Sequence, residues 1–143
     1  MGRDGEAKQI LELCGGDALK AYELVDKQLG VLVTRAQTIL SLSGIVITVT
    51  GFSGRAIATT NALAKVSVVA GLCTVLLAAA VGIVGVLRLQ WLSQTLGGEP
   101  LVMLARALET RDRKSRSLAV ALLLFVVGFS LYVLAVAQLL VAA

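Results

Sequence analysis

The side chains that could carry chemistry are few in this chain, and their spacing favours neither catalysis nor metal binding. Histidine, the usual general base and a common metal ligand, does not occur. Cys14 and Cys73 stand far apart, one in a polar segment and one in an apolar run, which predicts neither a disulfide nor a metal site. Ser41 and Ser43 have no neighbouring base, although a lysine-assisted nucleophile stays open, with Lys65 at the edge of an apolar run. We therefore expect a protein that is not an enzyme and has no catalytic residue, cofactor or metal.

The densest group of charges is the stretch RDRKSR, which directly precedes an apolar run. Its four bases, Arg111, Arg113, Lys114 and Arg116, could bind an anionic lipid headgroup or a ligand phosphate. The alternative is that they act as a positive-inside signal, which fixes the orientation of the span that follows. The sequence leaves both interpretations open.

The composition predicts that lipid is the solvent for much of the chain. Of 143 residues, 57% are hydrophobic and 15% are charged, whereas an ordinary soluble domain has about 25% charged residues. Three uncharged stretches, 36–53, 66–87 and 117–143, have the length of membrane spans. The second makes a helix of roughly 33 Å, enough to cross a hydrocarbon core of about 30 Å. The sequence therefore predicts an all-α integral membrane helical bundle, with three transmembrane helices and helical cytosolic extensions.

Polar segments separate the spans and set their expected orientation. The chain is predicted to begin with a cytosolic amphipathic helical segment (1–35), the first span (36–53) and a short outer loop (54–65). The second span (66–87), a cytosolic basic helical segment (88–116) and the third span (117–143) follow. Of the thirteen bases, five precede the first span and six lie in 88–116. By the positive-inside rule, we expect the N-terminus in the cytoplasm, the C-terminus outside, and the chain in the cell inner membrane.

Local signals predict where the helices begin and end. The pair Gly15–Gly16 is typical of a helix C-terminus, and Asp17 is a candidate N-cap for the helix that follows. No proline occurs before Pro100, so we expect one long helix from residue 17 to the end of the first span.

Small residues repeat on one face of each of the first two spans. The set consists of Ser41, Gly44, Thr48 and Gly51 in the first span and Ala78, Gly82 and Gly85 in the second. Such faces allow close helix packing and interhelical hydrogen bonds. The alternative for the first face is that it lines a polar path. A charge-relay transporter is not expected, because the spans carry no ionisable acid or base.

One known family has a similar layout. A helix carrying Asp26 and Lys27 runs into RAQTILSLSGI, and a charged helix with the sequence ETRDRKSRSLAVALLLFVVGF forms the last span. This arrangement resembles the Pycsar transmembrane effector family and related small bacterial antiphage membrane effectors. The resemblance implies a protein that oligomerises in response to a nucleotide signal and compromises the inner membrane. No nucleotide-binding domain is recognisable here, so the resemblance does not extend to sensing.

Two functions follow as expectations. The first is a non-enzymatic small membrane protein that self-associates through its helices and acts as a membrane-perturbing effector. The second is an accessory or structural subunit of a larger membrane complex, which docks a partner through the face formed by Leu101, Leu104 and Leu108. The expected partners are the lipid bilayer and either a second copy or another membrane protein, and no nucleic acid.

Overall fold

The computed structural model describes residues 3–58, 62–87 and 99–142, and its regular elements in these ranges are all helical. The helices are α1 (Arg3–Leu13), α2 (Ala18–Ala58), α3 (Ala62–Gly82), which continues as a π-helical turn (Ile83–Leu87), and α4 (Pro100–Ala142). Three helices are long and apolar enough to cross a membrane, within Ala18–Phe52, Ala62–Leu87 and Pro100–Gln138. The prediction of an all-α membrane helical bundle is therefore confirmed. Residues 59–61 of the predicted outer loop and residues 88–98 of the predicted basic segment lie outside the described residues.

The connection between α1 and α2 follows from two glycines. Gly15 and Gly16 have positive φ angles of 67° and 81°, which residues with a Cβ rarely adopt. The N–H of Gly16 donates to the carbonyl of Leu11 at 2.9 Å, and the N–H of Gly15 donates to that of Glu12 at 3.0 Å. This pair of hydrogen bonds is a Schellman motif, so the predicted end of α1 is confirmed.

Asp17 caps the start of α2, as the sequence predicted. Its Oδ1 accepts hydrogen bonds from the backbone N–H of Leu19 at 3.0 Å and of Lys20 at 3.3 Å. The bond from the Lys20 N–H is the main reason that the pKa of Asp17 lies below its ordinary value. The ionised carboxylate is therefore the form that stabilises the first turn of α2.

Inward-facing residues of α2 and α3 repeat at alternating steps of three and four. In α2 they form a stripe that we call the α2 core seam, which consists of Val25, Leu29, Leu32, Ala36, Ile39, Ser43, Val46 and Thr50, all buried except the half-buried Leu32. In α3 they are Ala64, Val68, Gly71, Val75, Ala78 and Gly82. A repeat of 3.5 residues is typical of helices that pack with the side-chain interdigitation of a left-handed coiled coil.

The core has a polar end and a membrane part. At the polar end, α1 packs on residues 18–35 of α2 and residues 100–116 of α4, and we call this unit the polar bundle. Its buried cluster consists of Ala7, Ala21, Val25, Leu29, Leu104, Ala107 and Leu108. Leu104 and Leu108, predicted to dock a partner, lie inside this cluster, because α1 and α2 cover that face of α4. The next cluster, Ala36, Ile39, Val86 and Leu118, joins α2, the π-helical turn and α4 at the start of the membrane part.

The backbones of α3 and α4 approach each other closely where Gly71 crosses Gly128. A Cβ added to Gly71 would lie 2.8 Å from the carbonyl oxygen of Gly128, and one added to Gly128 would lie 2.8 Å from Cγ2 of Val75. Only glycine leaves room for the two backbones at this crossing. The two glycines are 57 residues apart, so the sequence alone does not indicate that they meet.

Candidate functional site

Arg111 lies at the centre of the polar bundle and connects three helices. Its Nη1 donates to Oε1 of Glu6 in α1 at 2.7 Å and to Oε1 of Gln28 in α2 at 3.2 Å. Nη2 donates to Oε2 of Glu6 at 3.2 Å and to Oδ1 of Asp112 at 2.8 Å, and Nε donates to the same Oδ1 at 3.1 Å. These five bonds occupy all five N–H donors of a guanidinium group.

The charge of Arg111 is neutralised within the chain. Its side chain is 20% exposed, and the carboxylates of Glu6 and Asp112 both pair with it. Hydrogen bonding to Glu6 is the main reason that the pKa of Arg111 is raised above its ordinary value, while partial burial acts in the opposite direction. Among the four predicted anion-binding bases, Arg111 is therefore committed to partners in its own chain.

The other three bases have different surroundings. Arg113 and Arg116 are exposed, and Lys114 is half-buried along the inward face of α4. Binding of an anionic lipid or ligand by this group stays a prediction, and the structure points to the two exposed arginines as its accessible members.

The predicted packing face of the first span points away from the rest of the chain. Ser41, Gly44, Thr48 and Gly51 are all exposed, whereas Ser43, on the α2 core seam, is buried. Among the described residues, this face is therefore left largely exposed by the bundle. Its role in packing stays a prediction.

The exposed face is longer than the four predicted residues. It forms a second stripe on α2 with alternating steps of four and three, which we call the α2 polar seam: Gly30, Thr34, Gln37, Ser41, Gly44, Thr48 and Gly51, all exposed. Each member follows a core seam residue by five positions, which places it about 140° around the helix from the core. The three members that were not predicted are Gly30, Thr34 and Gln37. They continue the same alternating steps toward the N-terminus, and this continuation was visible in the sequence.

The threonine hydroxyls of this seam bond to their own helix. Thr34 Oγ1 donates to the carbonyl of Gly30 at 3.1 Å, and Thr48 Oγ1 donates to that of Gly44 at 2.8 Å. Because these donors are satisfied locally, their methyl groups and the glycines between them can approach another helix without leaving an unpaired hydroxyl.

The predicted small residues of the second span lie nearer to the core. Ala78 and Gly82 are buried, and Gly85 is half-buried in the π-helical turn, where an added Cβ would collide with the side chain of Ser117. A Cβ added to Gly82 would meet nothing within 4 Å. Gly85 is therefore the member at which α4 approaches most closely.

Several openings border the polar bundle, and one of about 500 Å³ lies between α1 and α4, with Leu101 in its lining. An apolar cavity of about 190 Å³ lies between the ends of α1, α2 and α4, and residues such as Leu11, Tyr22 and Met103 line it. A more polar groove of about 350 Å³ runs between α2 and α4, and its lining residues are Gln28, Leu32, Arg111, Asp112 and Ser115. Within the described ranges, no three His, Cys, Asp or Glu side chains come close enough to hold a metal ion.

The fold is that of a small membrane protein with three long apolar helices and a polar bundle at one end. Comparison of the chain with models of protein families, with curated proteins and with solved structures finds no match.

Proposed function

We propose that this chain is a small integral membrane protein that self-associates through the α2 polar seam and acts as a membrane-perturbing effector once assembled. The observation that carries the proposal is the continuous exposure of the seam, from Gly30 to Gly51, on a helix that is apolar enough to cross a membrane. We place the protein in the inner membrane, with the polar bundle in the cytoplasm, because the bundle and its flanks hold most of the bases.

A second copy is a better neighbour for this seam than lipid. Hydrocarbon offers no partner to the hydroxyl of Ser41, whereas an identical seam offers both donors and acceptors. The glycines allow two helix backbones to approach closely, which increases van der Waals contact. In addition, α2 has the lowest mean hydropathy of the three candidate spans. These properties support contact between α2 helices of different copies.

The effector role rests on the resemblance to Pycsar-type membrane effectors and on the polarity of the seam. Assembly would bring several copies of Gln37, Ser41 and Thr48 together at membrane depth. A cluster of hydroxyl and amide groups lowers the cost of water entry, so the assembled helices would weaken the permeability barrier.

Native mass spectrometry of the chain, expressed alone and kept in a lipid-like detergent, tests self-association. We expect a discrete homo-oligomer that Gly44→Leu and Thr48→Leu each dissociate, because a leucine side chain on the seam keeps the helix backbones apart. Ala80→Leu is the matched control, since Ala80 is an exposed small residue on α3. A monomer at all concentrations, or an oligomer indifferent to both seam variants, would contradict the proposal.

Dye release from liposomes tests the effector role separately. We expect release by the parent chain and by Ala80→Leu, and loss of release with Gly44→Leu. A stable oligomer that never releases dye would remove the effector role and leave an assembling structural protein. A strict monomer would favour the accessory subunit of a larger membrane complex.

A further inference from the structure

The charges of the polar bundle are segregated along its axis. On α2 the last acid is Asp26. Arg35 lies nine residues further along, directly before the first span. On α4 the last acid is Asp112, and three bases follow it before the final span. Neither helix carries an acid beyond these positions, so the end of the bundle next to the membrane is cationic.

The polar groove between α2 and α4 lies next to this cationic end, and we call the side of it that is nearer to the membrane its mouth. Leu32 and Asp112 line the groove, and Arg35 and Arg116 follow them by three and four residues, which places each one turn further along the same helix faces. Ala36 and Leu118 belong to one buried cluster, and Arg35 and Arg116 precede these residues by one and two positions, so the two arginines lie at similar heights. Both are exposed.

The acid inside the groove is partly compensated, because Oδ1 of Asp112 accepts two hydrogen bonds from Arg111, at 2.8 and 3.1 Å. The same guanidinium also pairs with Glu6, so these three groups together keep one negative charge. Arg35 and Arg116 add two positive charges, and the mouth of the groove is therefore positive on balance. The exposed Ser115 in the groove supplies a hydroxyl donor beside them.

We propose that the mouth of this groove binds the headgroup of an anionic phospholipid, with Arg35 and Arg116 on its phosphate. Guanidinium groups bind phosphate oxygens in a bidentate manner. Membrane lipid is the fitting source of the phosphate, because the uncharged spans begin at the next residue on each helix, at Ala36 and Ser117. The acyl chains then lie along the exposed apolar side chains of α2 and α4. The site uses residues of one copy only, so it is independent of self-association.

Lipid titration followed by native mass spectrometry of the intact protein tests the site. We expect retained phosphatidylglycerol and little retained phosphatidylcholine. The double change R35Q/R116Q should raise the phosphatidylglycerol concentration for half occupancy roughly thirty-fold, from the contribution typical of two arginines at a membrane surface. The single changes R35Q and R116Q keep the test available if the double variant does not fold. R35K/R116K should restore part of the affinity.

Arg106→Gln is the matched control, because Arg106 is an exposed arginine on α4 about 15 Å further from the membrane. Its affinity for phosphatidylglycerol should be unchanged. Equal retention of the two lipids, or a loss with Arg106→Gln as large as that with R35Q/R116Q, would overturn the proposal. Displacement of the lipid by excess inorganic phosphate would assign the groove to a free anion and would also overturn it.

Discussion

Replacing Arg111 with glutamine should release α1 from the polar bundle while leaving the membrane part folded. Of the seven residues in the buried cluster of the polar bundle, α1 contributes Ala7 alone, and the other six come from α2 and α4. Ile10 and Leu11 of α1 pack against the edge of this cluster, and the bidentate pair between Arg111 and Glu6 adds to these apolar contacts. Gly15 and Gly16 in the connection allow α1 to move without unwinding α2.

The size of the effect follows from the exposure of the pair. Hydrogen bonds to charged groups contribute about 1.5–3 kcal/mol when they are well shielded. The Glu6 side chain is 39% exposed, so water recovers part of its solvation after the change, and the lower end of this range applies. We expect a loss of roughly 1.4 kcal/mol in the docking free energy of α1, which raises the population of the open form about tenfold.

Cys14 reports on this opening directly. Its side chain is half-buried and packs against the cluster of the polar bundle, so a water-soluble maleimide should react faster when α1 opens. Measured with Cys73 replaced by alanine, Arg111→Gln should increase the labelling rate about tenfold. Glu6→Gln should increase it similarly, and the double variant should add little to either change, because both remove the same interaction.

Arg113→Gln is the control, since Arg113 is an exposed arginine two residues further along α4. Its labelling rate should match that of the parent chain. An unchanged rate in Arg111→Gln would show that apolar contacts alone hold α1. An equal increase in Arg113→Gln would show that net charge, rather than this ion pair, controls the docking.

Two further predictions concern the glycine crossing and the helix cap. Gly71→Ala should destabilise the membrane part by roughly 1–3 kcal/mol, because the new Cβ meets the Gly128 carbonyl oxygen. Gly82→Ala is the control and should be neutral or stabilising, because the space at its Cβ is open. Titration with SDS measures the free energy of unfolding of both variants. Because the pKa of Asp17 is lowered from 3.8, its stabilising effect should be complete above that pH and lost as the pH falls through the lower value. Amide protection factors at the start of α2, corrected for the intrinsic pH dependence of exchange, should therefore fall in acid in the parent chain but not in Asp17→Asn; a fall in both would contradict this.

The helices and their ends were predictable because their causes are local. Gly15, Gly16 and Asp17 act through bonds to residues at most five positions away, and the spans follow from uncharged runs of sufficient length. The partners of Arg111 were not predictable in this way. Arg111 and Glu6 are 105 residues apart, and only the packing of α1 on α4 brings them together. The same cluster of bases therefore suggested an anion site that included the one arginine already paired within the chain.

The sequence by itself determined that this is a helical membrane protein, because its long uncharged runs can satisfy their backbone hydrogen bonds in lipid only as helices. It also determined that α2 has two stripes with the same alternation of three and four residues. Only the tertiary structure decided which stripe faces inward. The core seam continues the buried Val25 and Leu29 of the polar bundle into Ile39 and Val46, and these larger apolar side chains fill the space against α3 and α4. The polar seam, built from smaller and more polar residues, is left on the outside.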